Sequence, residues 1–245
     1  MDDSTIQAAK SLAAISQQYE AIAHNLANVS TTGYKRESIT FRRALTAQMA
    51  GAEGSSGEQP TVQGSLSVDF RQGNLIKTDR PLDLALNGPG LFVLDSPQGS
   101  RYTRCGMFTT NATGQLVDSA GRTVASDGGP ITLPDTATQQ NINVTADGNI
   151  EVDGTSVGKL KIAVFKDTSV LTSVGDHCYA APKDATPEGT TDATTVSQNF
   201  LEGSNVNAVQ ELVGLITATR MYEANIKAMS SQDDKSKSLL QVVMG

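Results

Sequence analysis

Apolar residues recur with a helical period at the two ends of the chain and with a strand period between them. Ala8, Leu12, Ile15, Tyr19, Ile22, Leu26 and Val29 follow one another at alternating steps of four and three residues, the a/d spacing of a heptad seam. Lys10, Gln17, Gln18 and Glu20 take the opposite side. Such a stripe is narrower than the face a helix lays on a globular core. It predicts a helix over residues 4–29 that pairs with another helix. Asp3 or Ser4 is placed to cap its start, and Gly33 to end the segment. Near the other end, Leu212, Leu215, Thr219, Tyr222, Ile226 and Met229 repeat the alternation, with Leu240 and Val243 in register beyond polar Asp233 and Ser236. Val209, Val213 and Ile216 add a second apolar stripe, so this end can touch more than one neighbour; Ser204 or Asn205 offers a cap.

The middle of the chain, residues 34–200, is punctuated by turns. Leu82, Leu84 and Leu86 alternate with Asp83 and Ala85 before Asn87-Gly88-Pro89-Gly90, and Leu91 to Leu94 is a short apolar run. The segment 141–144 leads to Asp147-Gly148; Ile150 and Val152 lead to Asp153-Gly154; Leu160, Ile162 and Val164 alternate again. Period-two alternation broken by Asp-Gly is a strong hairpin signal, so this zone reads as antiparallel β structure. Segments 51–59 and 182–195, rich in Gly, Ser, Thr, Glu and Pro, read as surface loops or linkers. The whole is an α+β chain: terminal helices forming a coiled-coil-like axial domain, with an inserted antiparallel β domain. Its divisions are an N-terminal axial helix over 1–33, an extended or β connecting segment over 34–80, a β-rich domain over 81–200 and a C-terminal axial helix over 201–245.

Composition narrows the possible functions. The chain has 245 residues and net charge −7. Its densest basic stretch is only Lys35-Arg36 and Arg42-Arg43, which reads as a solvated or interface-facing turn. A nucleic-acid partner, which needs clustered cations, is therefore not expected. No apolar run approaches the length of a membrane span. The first residues lack the features of a cleavable signal peptide, so export would use a route that removes no leader. With no Trp, the core must rest on aliphatic residues. Cys105 and Cys178 have no metal-ligand spacing, and whether they pair is open. With His24 and His177 they would barely furnish four zinc ligands, so no metal or cofactor is expected. A secreted carbohydrate-active enzyme is the alternative from another class, with Asp79 and Asp83 or Asp147 and Asp153 as carboxylate pairs. Turns explain the Asp-Gly pairs equally well, and the usual sugar-stacking Trp is missing. No catalytic residue and no small-molecule substrate are assigned.

The segment Asn25-Leu26-Ala27-Asn28-Val29-Ser30-Thr31-Thr32-Gly33-Tyr34-Lys35 resembles the N-terminal signature of flagellar rod and hook proteins. Glu202-Gly203-Ser204-Asn205-Val206-Asn207-Ala208-Val209 resembles their C-terminal signature. Between them Gly73-Asn74-Leu75, Asp79-Arg80-Pro81-Leu82-Asp83-Leu84-Ala85-Leu86, Gly90-Leu91-Phe92-Val93, Tyr102-Thr103-Arg104 and Gly114-Gln115-Leu116 also resemble the family, in order. Arg80-Pro81-Leu82-Asp83 and the late Ser230-Ser231-Gln232-Asp233-Asp234 resemble its proximal-rod type; a distal-rod or hook type is the alternative. His24, Cys105 and Cys178 depart from the family pattern.

The resemblance implies a non-enzymatic structural subunit of the bacterial flagellar basal body. It would be exported unfolded through the type III apparatus, without a cleaved leader. It would then join other rod subunits and copies of itself in the periplasm and transmit torque. The implied assembly interface is Leu12, Ile15, Tyr19, Ile22, Asn25, Leu26, Asn28, Gly33, Asn205, Leu212, Leu215, Tyr222, Ile226 and Met229. In that reading Leu12 to Leu26 pack against Leu212 to Met229, and the buried amides of Asn25 and Asn28 fix register. Asn28 could equally satisfy its own backbone at a helix end. Gly33 supplies a backbone angle that other residues resist, and Arg80-Pro81 either stiffens a strand entry or forms a plain turn.

Overall fold

The computed structural model describes residues 3–43, 62–138, 140–182, 185, 187, 188 and 194–244, with side chains described between 10 and 39 and between 66 and 231. Two long helices, α1 (Asp3–Ala27) and α2 (Ala208–Met244), bracket the strands. In chain order these are β1 (Glu37–Arg43), β2 (Val62–Val68), β3 (Leu75–Lys77), β4 (Leu84–Asn87), β5 (Leu91–Asp95), β6 (Arg101–Thr103), β7 (Thr109–Thr110), β8 (Leu116–Val117) and β9 (Thr123–Val124). Then follow β10 (Ile142–Val144), β11 (Asn149–Val152), β12 (Thr155–Lys159), β13 (Ile162–Ala163), β14 (Thr172–Ser173), β15 (Cys178–Ala180), β16 (Thr195–Gln198) and β17 (Phe200–Glu202). The chain is thus α+β, and its described strand pairs are antiparallel.

α1 ends at Ala27, two residues short of the expected boundary at 29, and residues 28–30 form a turn. The expected caps Asp3 and Ser4, seam residue Ala8, and Leu240 and Val243 have side chains outside the described residues. So does segment 51–59. Within 182–195, Thr194 is buried and Thr195 opens β16, so the end of that stretch is strand rather than loop.

The fold divides into two compact units. One holds α1, α2 and the β1–β2 ribbon; the other comprises residues 28–36 and 68–206. In the second, a sheet runs β14-β15-β6-β5-β9-β8-β7, with β13 also on β5. β10-β11-β12 form a three-stranded meander, and β16 and β17 pair with β4 and β3. The meander's second turn has Asp153 and Gly154 both at positive φ (51° and 77°), the conformation a two-residue hairpin demands. The short run Leu91–Leu94 is buried on both faces: Phe92 and Leu94 enter one apolar cluster, Leu91 and Val93 another. Alternation along a strand thereby feeds two cores at once. The few aromatics are concentrated there, with edge-on pairs Phe92–Phe108, Phe70–Tyr179 and Tyr102–Phe165 at centroid distances of 5.2, 4.9 and 4.9 Å.

Candidate assembly interface and its buried polar anchors

In the helical unit α1 and α2 run antiparallel. Ser11 Oγ donates to Asn225 Oδ1 at 3.3 Å, and Ile22 packs over Gly214, whose missing Cβ leaves room for it. Ile15 and Tyr19 share a groove of about 290 Å³ with Ala218 and Tyr222. The side of α2 turned to α1 therefore carries Glu211, Gly214, Ala218 and Asn225, with the anticipated Thr219 and Tyr222 at the rim of the groove and Leu212 and Ile226 turned further out. Ile22 is buried; Leu12, Ile15, Leu26, Leu215 and Met229 are half-buried. Leu212 and Ile226 remain exposed (46% and 45%), as do Tyr19 and Tyr222. The second stripe is more open still: Val209 at 68%, Val213 at 59% and Ile216 at 54%.

Asn25 is the polar anchor of this unit. Its Nδ2 donates to the Glu37 carbonyl at 2.7 Å and to Glu211 Oε2 at 3.4 Å, and its Oδ1 accepts from Glu37 N at 2.8 Å. One amide thus ties α1 to the start of β1 and to the first turn of α2. Glu211 is buried there, where the helix dipole favours a carboxylate. The cap of α2 is Asn207, not Ser204 or Asn205: its Oδ1 accepts from Val209 N and Gln210 N at 3.1 and 3.3 Å. His24 Nδ1 lies 3.1 Å from Glu37 Oε2, beside the same junction.

The β-rich unit has its own anchor. Gly33, at φ +71°, donates its N–H to the Glu202 carbonyl at 2.7 Å. A Cβ on Gly33 would sit 2.4 Å from Cys105 N, so both the angle and the close approach exclude a side chain. Lys35, expected in a solvated or interface-facing turn, is instead fully buried within the β-rich unit. Its Nζ donates to Glu202 Oε1 at 2.5 Å and to the Arg71 carbonyl at 2.7 Å. Arg104 Nη1 donates to Glu202 Oε2 at 3.1 Å. Burial pushes the Lys35 ammonium below its ordinary range, against the opposing pull of the Glu202 carboxylate, and it lowers Arg104 for the same reason. Asn205 does not cap a helix; its Nδ2 donates to the carbonyls of Asp69 and Arg71 at 2.7 and 2.9 Å, and its Oδ1 accepts from Arg36 N at 2.7 Å. The side chains of Arg42 and Arg43 lie outside the described residues.

Sequence reasoning missed Lys35, Arg104, Glu202 and Glu211 as individual residues. The one available signal was that three of them stood inside the matched motifs. Asn28 closes the turn after α1: its carbonyl accepts from Thr31 N at 3.1 Å and its Oδ1 from Thr31 Oγ1 at 3.2 Å. Arg80 and buried Pro81 turn the chain into β4, with Asp83 N donating to the Arg80 carbonyl at 3.1 Å and Arg80 Nη2 to the Phe108 carbonyl at 3.2 Å. Cys105 and Cys178 are free thiols; burial raises both, Cys178 to about 11. Of the carboxylates the enzymic alternative invoked, Asp147 serves an exposed turn, bonded to Thr145 Oγ1, and Asp153 holds a left-handed turn position. Among the described residues no helix is long and apolar enough to cross a membrane.

Three family models match the chain in order. Residues 8–35 match the flagella basal body rod protein model, 85–152 the flagellar hook protein FlgE/F/G D1 domain, and 197–242 the flagellar basal body rod FlgEFG protein C-terminal model. The chain is 34% identical over 225 residues to the flagellar basal-body rod protein FlgF of Caulobacter vibrioides, covering 92% of this chain and 91% of that one. It is 36% identical over 239 residues to the FlgG rod protein of Agrobacterium fabrum, covering 88% and 89%. With FlgF of Mesorhizobium japonicum it shares 30% identity over 246 residues, 98% of each chain.

Proposed function

The chain belongs to the flagellar basal-body rod protein family and is a structural subunit of that rod, and from that premise we propose that it polymerises through its terminal helices and carries torque from the motor toward the hook. The observation that supports this reading is the apolar stripe Val209, Val213 and Ile216, left open along α2 beside a helix pair that buries few large side chains among the described residues. A row of aliphatic residues in water is unfavourable by roughly 1.5–3 kcal/mol per side chain relative to burial. Packing it against helices of neighbouring subunits, themselves other rod proteins or copies of this chain, recovers that energy. A contact between two different surfaces does not close on itself, so it extends as a helical filament.

In this reading residues 1–33 and 201–245 form a coiled-coil-like axial domain, 34–80 connect, and 81–200 make an inserted β-rich domain. The interface comprises the α1 and α2 seam residues named from the sequence, with the Asn25 junction holding their register. The subunit catalyses nothing; it leaves the cytoplasm unfolded through the flagellar type III apparatus, keeps its N-terminus, and assembles in the periplasm. We place it in the proximal rod, the FlgF type. The second reading is a distal-rod or hook protein of the same family, favoured by FlgG relatives of equal identity. Imaging isolated basal bodies that carry a tagged copy decides between the positions. Charge insertion on the stripe, Val213→Asp, tests polymerisation: complete rods in that strain would refute the α2 stripe as the polymerising surface.

A further inference from the structure

Residues 194–206 reach back to strands throughout the β-rich unit. β16 lies along β4, and β17 along β3. Gln198 Nε2 donates to the carbonyls of Pro81 and Ile142, each at 3.0 Å, and its Oε1 accepts from Val144 N at 3.2 Å. Glu202 is the centre of this segment. Its carbonyl accepts from Gly33 N, its Oε1 from Lys35 Nζ and from Gly73 N at 2.8 Å, and its Oε2 from Arg104 Nη1. All three charged side chains are buried. The two cations lie 167 and 98 positions earlier in the chain, and Glu202 is the anion bonded to both.

Consider the unit before residue 202 has arrived. Closing the interior would bury Lys35 and Arg104 without a counter-charge, and an unpaired buried ion carries a penalty of several kcal/mol. Even in the finished fold the group keeps one positive charge in excess. Glu202 therefore does more than add a contact: it removes the charge that opposes closure. The strand pairings of 195–202 are equally long-range, so chain closure must be complete before they reward it.

We propose that Glu202 licenses folding of the β-rich unit, which stays open until the C-terminal segment joins the N-terminal one. For a subunit that passes unfolded through an export gate, this keeps a partly delivered chain from closing early. That consequence rests on the function proposed above; the folding claim does not.

The test uses the full-length monomer in vitro, so its outcome is independent of rod assembly. Refolding after dilution from urea is followed by pulsed hydrogen exchange. Amides of β4 and β5 should gain protection in the same phase as those of Gly33 and Gly73; protection of β4 and β5 in an earlier, separate phase overturns the proposal. Glu202→Gln keeps the shape and backbone bonds but leaves both cations without an anion, and should slow refolding at least about tenfold. The double variant Lys35→Met/Glu202→Gln returns the group to one excess positive charge. It should recover most of the lost rate, even if the single variant fails to fold. A single variant that refolds at the wild-type rate, or a double variant as impaired as the single, assigns Glu202 to packing alone and refutes the licensing role.

Discussion

Lys35 Nζ lies 2.5 Å from Glu202 Oε1, and neither side chain meets solvent. The pair joins the end of the N-terminal signature to the start of the C-terminal one inside the β-rich unit. The parts of the two signatures that lie in this unit, residues 28–35 and 202–206, are therefore packing partners as well as sequence labels. Buried pairs of this kind add little over a well-packed apolar substitute, and removing a member is most expensive where its partner stays behind unpaired, as both cations would without Glu202.

Lys35→Met removes the cation and its bond to the Arg71 carbonyl while leaving Glu202 in place beside Arg104. Glu202 keeps Arg104 as its counter-charge, so the expected loss is that of the two bonds from the ammonium, about 1.5–3 kcal/mol, read as a lower urea midpoint for the β-rich unit at pH 7. Lys35→Arg should not restore it, since a guanidinium is longer and planar where the site holds a compact ammonium.

The Cys178 thiol is held at about 11 by burial, against an ordinary value of 9.0. At pH 8 that leaves about a hundredfold less thiolate than in the unfolded chain. Iodoacetamide should label Cys178 slowly in the native protein and fast after denaturation, and an intact mass with two free thiols should persist without reductant. The sign of the linkage follows. Between pH 9 and 11 the native state keeps a proton that the unfolded chain has released, so stability falls as pH rises through that window. Cys178→Ala should flatten this loss relative to the wild type.

Asn25→Ala strips the Glu37 backbone and the buried Glu211 carboxylate of a shared partner. A cost of about 1–3 kcal/mol is expected for losing these three hydrogen bonds, measured as a lower melting temperature of the helical signal. Asn25→Asp should be worse at pH 7, because it sets a second carboxylate against Glu211 in a dry site. Its folded-state pKa would be raised, so the deficit should shrink as pH falls through the carboxylate range and return as pH rises. A deficit independent of pH would contradict this geometry.

Both helices and the Asp-Gly hairpins were legible in the sequence because period and turn chemistry are local. The Lys35-Arg36 doublet was not: a basic pair after Gly-Tyr looks like a solvated or interface-facing turn, and the partner bonded to Lys35 inside the fold is 167 positions away. The small and polar part of the α2 face was not legible for a related reason. Hydrophobicity marks Leu212 and Ile226, but against α1 close approach selects small and hydrogen-bonding residues, Gly214, Ala218 and Asn225, with Glu211 at the anchor. Apolar periodicity finds where a helix is greasy, which need not be where its own chain covers it.

That distinction fixes the most direct test of polymerisation. Ile22 is buried at the Gly214 crossing, so Ile22→Asp would place a charge in the helical unit itself and cost several kcal/mol; a non-motile strain would then say nothing about contacts between subunits. Val213 and Ile216 are open in the monomer. Substituting Asp there should shift monomer stability by no more than about 0.5 kcal/mol, as surface changes do. Within a subunit contact the same carboxylates would be desolvated without a partner. Val213→Asp and Ile216→Asp should therefore keep the wild-type melting temperature and circular dichroism while cells lose swimming and isolated basal bodies lack a complete rod. Complementation of a null strain, with the melting curves measured on the same variants, separates the two effects. Full motility with an unchanged melting temperature would mean that this stripe faces solvent in the rod, and the polymerising surface would have to be sought on α1.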